Sequence, residues 1–418
     1  MAAQPGATDS SVAVRNFRLF WASETLTTLT ATVSGLAVPL VAVTTLHASV
    51  LQIGLLSALG QITFALVALP AGALADRSRH RRAMIGSNLI RGIIVATIPI
   101  AAIAGVLQLW ILYAVQIALA LLQSFYEPAW HAFLPTIVSS DRLVASNGKL
   151  QTTTTATDLG GKGLAGLLIQ LVGAPLAIIA NAIGFALSAL ALTAIRHDEP
   201  RPDKTTDSPR HQIAEGIAQV LGRPVLRTMA IFLVGAGGGL SAYYALSTVF
   251  LARTVGLPAG AIGWVFAGGG IGGVIGGLLT PRAADRLGTG RLLRLCTAVT
   301  FPFGLLIPLT RPGWGVVLYI AGGAMVGAGV AAYNVLSLSL TQTICPPELL
   351  GRAFSVIRLI VLGASAVGSI LAGLLGTWLG TRLALLVIMG ALLLIPLSLL
   401  LAKTLRGDFS TPSTEQTP

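Results

Sequence analysis

Two oppositely charged side chains lie four residues apart inside a long apolar stretch, and they are the first candidates for chemistry. Asp158 and Lys162 are the only charged residues within 150–172. In a helix this spacing places both side chains on one face, where they can pair. Such a pair is either a proton-coupling or anion-binding site that faces a cavity, or a structural ion pair that fixes the helix to its neighbours.

Two carboxylates lie near the ends of other apolar stretches. Glu24 falls about one turn inside the first of them, where it can either accept a proton or stay ionised at the membrane edge. Glu127 ends another stretch directly before Pro128, which favours a role in gating or helix capping over a role in coupling.

Four polar or aromatic residues of the second half are candidates for contact with a substrate. Asn334 is an amide at the centre of a predicted helix and can donate hydrogen bonds across a cavity. Tyr243, Tyr244 and Trp264 suit a lipophilic ligand, although membrane interfaces use the same residue types.

The sequence lacks the motifs of common enzymes. It contains no G-x-x-x-x-G-K-[ST] loop, no H-E-x-x-H pair and no G-x-S-x-G elbow. Its two cysteines, Cys296 and Cys345, are far apart and predict neither a metal site nor a disulfide. We therefore expect no enzyme activity, no metal and no cofactor.

The composition predicts a membrane protein with many spans. Only 10% of the 418 residues are charged, while 54% are hydrophobic, and a soluble fold of this size could not cover its surface with so few charges. The net charge of +12 follows from basic cytoplasmic loops, so we expect no binding of nucleic acid.

Twelve apolar segments are long enough to cross a hydrocarbon core as helices. They lie near 19–45, 50–74, 83–105, 107–126, 150–172, 174–195, 226–251, 259–281, 291–309, 314–341, 353–377 and 380–402. The sequence thus predicts an N-terminal six-helix bundle (1–196), a cytoplasmic linker with a surface helix (197–224), a C-terminal six-helix bundle (225–402) and a disordered cytoplasmic tail (403–418).

The distribution of basic residues predicts the orientation. With both termini in the cytoplasm, the outer loops hold only Arg253, Arg311 and Arg382 of the 27 Lys and Arg residues. Because basic residues accumulate in cytoplasmic loops, we expect this topology for a multi-pass protein of the cell (inner) membrane.

Glycines recur every four residues in several predicted spans. Gly268, Gly272 and Gly276 form one such series, and Gly269, Gly273 and Gly277 form another. This small-xxx-small pattern predicts faces on which neighbouring helices approach closely.

Residues 72–82 of the first cytoplasmic loop read G-A-L-A-D-R-S-R-H-R-R. This motif resembles the G-x-x-x-D-R-x-x-R-R signature of the major facilitator superfamily, which lies between its second and third helices. Residues 72–82 contain Gly72, Asp76, Arg77 and Arg81, and the resemblance implies that Asp76 and its arginine partners form a conformational lock. The alternative is a basic anchor loop. The corresponding loop of the second half keeps Asp285 and Arg286 but has Pro281 in place of the glycine.

Further motifs are similar to the third drug:proton antiporter group of that family, whose members include macrolide and siderophore efflux proteins. These motifs lie at residues 16–21, 127–129, 134–135, 143–147 and 347–352. The resemblance implies that Arg91 ties helices together and that Glu24 can pair with Lys162, because the first and fifth spans are neighbours in this fold. Lys162 itself replaces a proline common in the fifth span of exporters.

The sequence thus predicts an all-α membrane protein with two pseudo-symmetric six-helix bundles, the major facilitator fold. We expect a secondary active transporter that exports a lipophilic small molecule, such as a drug or natural product, in exchange for protons, within membrane lipid and as a monomer. The alternatives are uptake or exchange of an anionic metabolite at Lys162, or a transporter-like sensor without transport.

Overall fold

The computed structural model describes residues 10–75, 79–139, 142–197, 199, 217–218, 220–345 and 347–401. Within these residues the chain folds into twelve helices of at least 12 residues, and no β-strand is present. The helices are α1 (Ser10–Leu40), α2 (Val50–Ala75), α3 (His80–Ile103), α4 (Leu109–Ile137), α5 (Leu143–Val172), α6 (Ala174–Thr193), α7 (Pro224–Val249), α8 (Ala259–Leu287), α9 (Thr289–Thr300), α10 (Val316–Ile344), α11 (Pro347–Leu379) and α12 (Thr381–Leu401).

Ten of these helices are long and apolar enough to cross a membrane, by length and composition of the described residues. The two predicted spans outside this group are 150–172 and 291–309. The first lies in α5, where four consecutive threonines, Asp158 and Lys162 lower the hydropathy. The second begins in α9, which ends at Thr300 and continues as a 3-10 helix over Phe301–Leu306, a segment that contains Pro302.

The contacts divide the chain into two compact units. Unit 1 comprises residues 1–47 and 63–206, and unit 2 comprises residues 48–62 and 207–418. The division after residue 206 falls in the predicted linker. In the predicted surface helix of this linker, the described residues 217–218 and 220–222 are helical. The first half of α2 packs with unit 2 rather than with the first bundle: Gln61 Nε2 donates to Ser241 Oγ at 2.8 Å. The predicted disordered tail lies outside the described residues.

The two units repeat the same helix pairs. In unit 1, α1 packs on α5 and α6, and α3 packs on α4 and α6. In unit 2, α7 packs on α11 and α12, and α9 packs on α10 and α12. A π-helical turn follows the first helix of each half, at Val41–Thr45 and at Phe250–Thr254. The all-α fold with two related halves, predicted from the sequence, is confirmed.

The glycine series of α8 packs against α10, as the sequence predicts. A Cβ atom at Gly272 would overlap the carbonyl oxygen of Ala324, and one at Gly276 would lie 2.6 Å from the Cα of Ala328. The second series faces glycines of α10, because a Cβ atom at Gly273 would lie 3.6 Å from the carbonyl oxygen of Gly327. These glycines let the two backbones touch.

Candidate functional site

A connected group of polar side chains lies inside unit 1, among helices that are otherwise apolar. It joins α1, α3, α4 and α6, and we call it the polar network. Its members are Ser23, Glu24, Thr27, Asn88, Arg91, Gln123, Tyr126 and Ser188. Buried polar groups are costly unless they are hydrogen-bonded, so a group of this size inside a membrane helix bundle is a candidate functional site.

The hydroxyl of Ser188 connects three helices of the network. It lies 2.7 Å from Ser23 Oγ and 2.9 Å from Thr27 Oγ1, both on α1. Asn88 on α3 donates to it from Nδ2 at 2.8 Å. Asn88 and Ser188 are fully buried, so this part of the network fixes α1, α3 and α6 together.

Arg91 holds the only guanidinium of the network and is 2% exposed. It donates from Nη2 to Gln123 Oε1 at 2.8 Å and from Nη1 to Asn88 Oδ1 at 3.3 Å. Its Cζ atom lies 4.7 Å from the centroid of the Tyr126 ring, within the range of a cation–π contact. Arg91 thus connects α3 to α4 through its hydrogen bond to Gln123.

Glu24 is the carboxylate of the network. Tyr126 donates its hydroxyl to Glu24 Oε1, and the charge of Arg91 also acts on this carboxylate. Glu24 lies twelve residues beyond Val12, where the first membrane-spanning segment begins, which corresponds to about 18 Å along a helix. The role of Glu24 in proton binding stays a prediction.

The predicted pairing of Glu24 with Lys162 is not found, because each residue has another partner. Lys162 Nζ lies 2.9 Å from Asp158 Oδ1, one helical turn away on α5. Asp158 is 55% exposed and Lys162 is 28% exposed, so this pair lies at the surface of unit 1, apart from the polar network. The role of the pair stays a prediction.

The substrate candidates of unit 2 lie in different surroundings. Tyr243 is 4% exposed and donates its hydroxyl to Tyr319 Oη at 2.9 Å, so contact with a ligand would require its ring to move. Tyr244 and Trp264 are 56% and 54% exposed, and Asn334 is also exposed. Their contact with a substrate stays a prediction.

The structure describes part of the predicted conformational lock. Gly72 belongs to α2, whereas Asp76 and Arg77 lie outside the described residues. Asp285 and Arg286 are exposed in the last turn of α8, which continues beyond Pro281.

Arg81 connects the start of α3 to the end of α6. Its Nε donates to the carbonyl oxygen of Leu192 at 2.8 Å. Glu199, beyond α6, accepts hydrogen bonds from the backbone N–H groups of His80 at 2.7 Å and Arg81 at 3.2 Å. The carboxylate thus caps the N-terminus of α3, where the helix dipole favours a negative charge.

Sequence reasoning found Glu24 and Arg91 but missed their partners. Tyr126, Gln123, Asn88 and Ser188 carry no charge, so they do not stand out in an apolar segment as an ionisable residue does. A signal was present in the spacing, because Gln123 and Tyr126 are three residues apart on α4, as are Asn88 and Arg91 on α3. Glu127, which sequence analysis singled out on α4, is half-buried, and its charge also acts on Arg91.

Two six-helix repeats with ionisable groups inside the helices define a class of protein, the secondary transporters of the membrane. The sequence profile of the Major Facilitator Superfamily matches residues 20–361 and, in a second match, residues 239–417. The chain belongs to this family. It is therefore a membrane transporter and not an enzyme, as the sequence predicted.

Curated relatives of the chain include efflux proteins. It is 27% identical over 341 residues to the multidrug efflux pump Tap of Mycolicibacterium fortuitum, an alignment that covers 78% of this chain and 81% of the relative. It is 23% identical over 376 residues to macrolide efflux protein A of Streptococcus pyogenes, with coverage of 88% and 90%.

Solved transporters share the fold. The nucleoside transporter NupG superimposes with a TM-score of 0.73 at 14% identity, covering 94% of this chain and 98% of that one. A bacterial homologue of the human lysosomal transporter Spinster gives a TM-score of 0.74 at 15% identity, covering 99% of this chain and all of that one. At 14–15% sequence identity, this structural similarity establishes the fold.

Proposed function

We propose that this transporter exports a lipophilic small molecule in exchange for protons, and that Glu24 is the carboxyl that carries the proton. The efflux activities named for its relatives support export. The observation that carries the coupling proposal is the setting of Glu24, a carboxylate in a membrane-spanning helix that accepts the hydroxyl of Tyr126 and is influenced by the charge of Arg91.

The geometry gives protonation of Glu24 a structural consequence. The ionised carboxylate accepts the hydrogen bond of Tyr126 and attracts Arg91, so it strengthens the links from α1 to α4 and α3. A protonated carboxyl loses that attraction. Because only an interaction that differs between two states shifts their equilibrium, proton binding at Glu24 can bias the alternation between inward-open and outward-open states.

Two further parts complete the proposal. The loop with Asp76 and Arg77 acts as a conformational lock whose contacts differ between the two states. The protein works as a monomer in the cell membrane, with both termini in the cytoplasm.

The test uses purified protein in proteoliposomes with an imposed pH gradient, with a radiolabelled macrolide and ethidium as probes. Glu24→Gln keeps an oxygen that can accept from Tyr126 but cannot carry a proton. We expect gradient-driven accumulation to fall at least tenfold, while substrate exchange without a gradient and thermal stability stay close to those of the parent.

The matched control removes the charged pair of α5. Asp158→Asn combined with Lys162→Ala should retain gradient-driven accumulation, because Glu24 remains. Loss of accumulation in this double variant and its retention in Glu24→Gln would assign the coupling to the α5 pair instead. Retention in both variants would contradict proton coupling through either site.

Uptake of an anionic metabolite at Lys162 is less well supported. The ammonium group is 2.9 Å from the carboxylate of Asp158, so its charge is already compensated within α5. An anion would have to displace Asp158. The same double variant tests uptake at this site, because it removes the ammonium group that would bind the anion.

A further inference from the structure

A large cavity opens in unit 1 where α1 begins, α4 ends and α5 begins. Its volume is about 1230 Å³, and the polar network does not contribute to its lining. The walls come from residues 13–21 of α1, residues 135–139 at the end of α4, and residues 142–153 at the start of α5. Neither the coupling proposal nor the substrate candidates use this space.

The charged side chains that line the cavity are all basic. They are Arg18 on α1, Arg142 directly before α5, and Lys149 on α5, and all three are exposed. No carboxylate is among the described residues of the lining. The N-terminus of α5 at Leu143 adds the positive end of a helix dipole. The cavity therefore presents a positive potential suited to a phosphate group.

Hydroxyl groups and aromatic rings complete the lining. The hydroxyl of Ser139 can donate to a phosphate oxygen, whereas Thr136 and Thr152 already donate to the carbonyl oxygens of Phe133 and Gly148. Trp21 is 39% exposed and donates from Nε1 to Thr153 Oγ1 at 2.8 Å, which fixes its indole between α1 and α5. Lys149 Nζ lies 6.0 Å from the ring centroid of Phe17. The α1 wall thus combines two aromatic rings with Arg18, and the α5 wall carries Arg142 and Lys149.

The cavity lies at the end of membrane-spanning helices, where lipid headgroups are found. The segment Val12–Thr45 is longer than the roughly 20 residues that cross a hydrocarbon core, so its first turns reach the headgroup region. Tryptophan is typical of that level. A phosphate bearing two acyl chains fits these surroundings better than a free anion does, because the aromatic rings of the α1 wall would contact the chains.

We propose that this cavity binds the headgroup of an anionic phospholipid, with Arg18, Arg142 and Lys149 around the phosphate. Basic pockets between membrane helices recognise headgroups in this way. By the predicted topology, the lipid belongs to the cytoplasmic leaflet. The site is separate from the coupling proposal and does not depend on it.

The test measures lipid retention by native mass spectrometry of the full chain in detergent, titrated with phosphatidylglycerol. Each basic residue near a membrane surface strengthens binding of an anionic lipid about fivefold. We expect Arg18→Gln combined with Arg142→Gln and Lys149→Gln to weaken phosphatidylglycerol binding roughly 100-fold. The single variant Arg18→Gln should weaken phosphatidylglycerol binding about fivefold. It provides the test if the triple variant does not fold.

The matched control removes three exposed arginines that do not line the cavity: Arg15→Gln, Arg227→Gln and Arg291→Gln. It changes the net charge equally and should leave binding within about twofold of the parent, since none of the three residues lines the cavity. Equal weakening in both triple variants would overturn the proposal. So would equal retention of phosphatidylcholine and phosphatidylglycerol by the parent. Competition by glycerol phosphate at the concentration of the lipid would also overturn it, because the site would then bind a soluble anion.

Discussion

At the scale of single residues, the most consequential group is Arg91. A charge inside a membrane helix is expensive, and Arg91 is stabilised by oxygen atoms from two helices and by the face of Tyr126. The same partners depend on Arg91 in return, because Gln123 Oε1 and Asn88 Oδ1 each accept one of its N–H groups. Arg91 therefore has a structural role that can be measured apart from transport.

We predict that Arg91→Met lowers the free energy of unfolding by about 3 kcal/mol, because it leaves Glu24 without a nearby cation and the buried oxygen of Asn88 without its donor. Unfolding with sodium dodecyl sulfate in mixed micelles measures this change. Arg227→Met, at an exposed position on α7, should cost less than about 0.5 kcal/mol. A loss at Arg91 no greater than that of the control would contradict a structural role.

At the scale of helices, the close approach of α8 and α10 depends on individual glycines to different degrees. Gly272 leaves no space for a side chain beside Ala324. Gly277 belongs to the second series on the same helix, but a Cβ atom there would lie 4.0 Å from the Cβ of Ala331, which is an ordinary contact. The sequence pattern alone predicts the same close helix contact at Gly272 and at Gly277.

We predict that Gly272→Ala destabilises unit 2 by about 1–3 kcal/mol, because α8 and α10 must move apart to admit the methyl group. Gly277→Ala should be neutral or slightly stabilising, since alanine favours the helix. Thermal unfolding of the two variants in detergent compares them directly. Equal melting temperatures would show that the helices separate at no cost.

The whole molecule is organised as two repeats that can be recognised in the sequence. The same interval along the chain separates Val41 from Phe250, at the start of the two π-helical turns, and Asp76 from Asp285. Each π-helical turn is followed by a residue with positive φ, which is His47 in the first repeat and Gly256 in the second. The positive φ is thus the same in both repeats, although the residue type differs.

The topology of the whole chain yields a labelling prediction. In a background without Cys296 and Cys345, Trp314→Cys should react with an impermeant thiol reagent in intact cells, because residue 314 is 92% exposed at the predicted outer end of the span 314–341. Arg79→Cys, in the loop before α3, should react only after permeabilisation. Labelling of both positions from the same side would contradict the orientation.

The sequence by itself determined the class of fold. Apolar runs of about 20 residues must become helices in a membrane, because no water is there to satisfy the backbone. Glycine periodicity predicted the face of α8 that packs on a neighbour, since close approach is a local requirement of the helix surface. The sequence also identified Glu24 and Arg91 as candidates, because an isolated charge interrupts an apolar pattern.

Only the tertiary structure decided which residues these charges meet. Tyr126 lies far from Glu24 in the sequence, and its hydroxyl reaches the carboxylate because α1 and α4 belong to the same unit. The first half of α2 likewise packs with unit 2, which no local pattern indicates. Local periodicity shows which face of a helix is polar or small, but the partner of that face depends on how all the helices of a unit pack together.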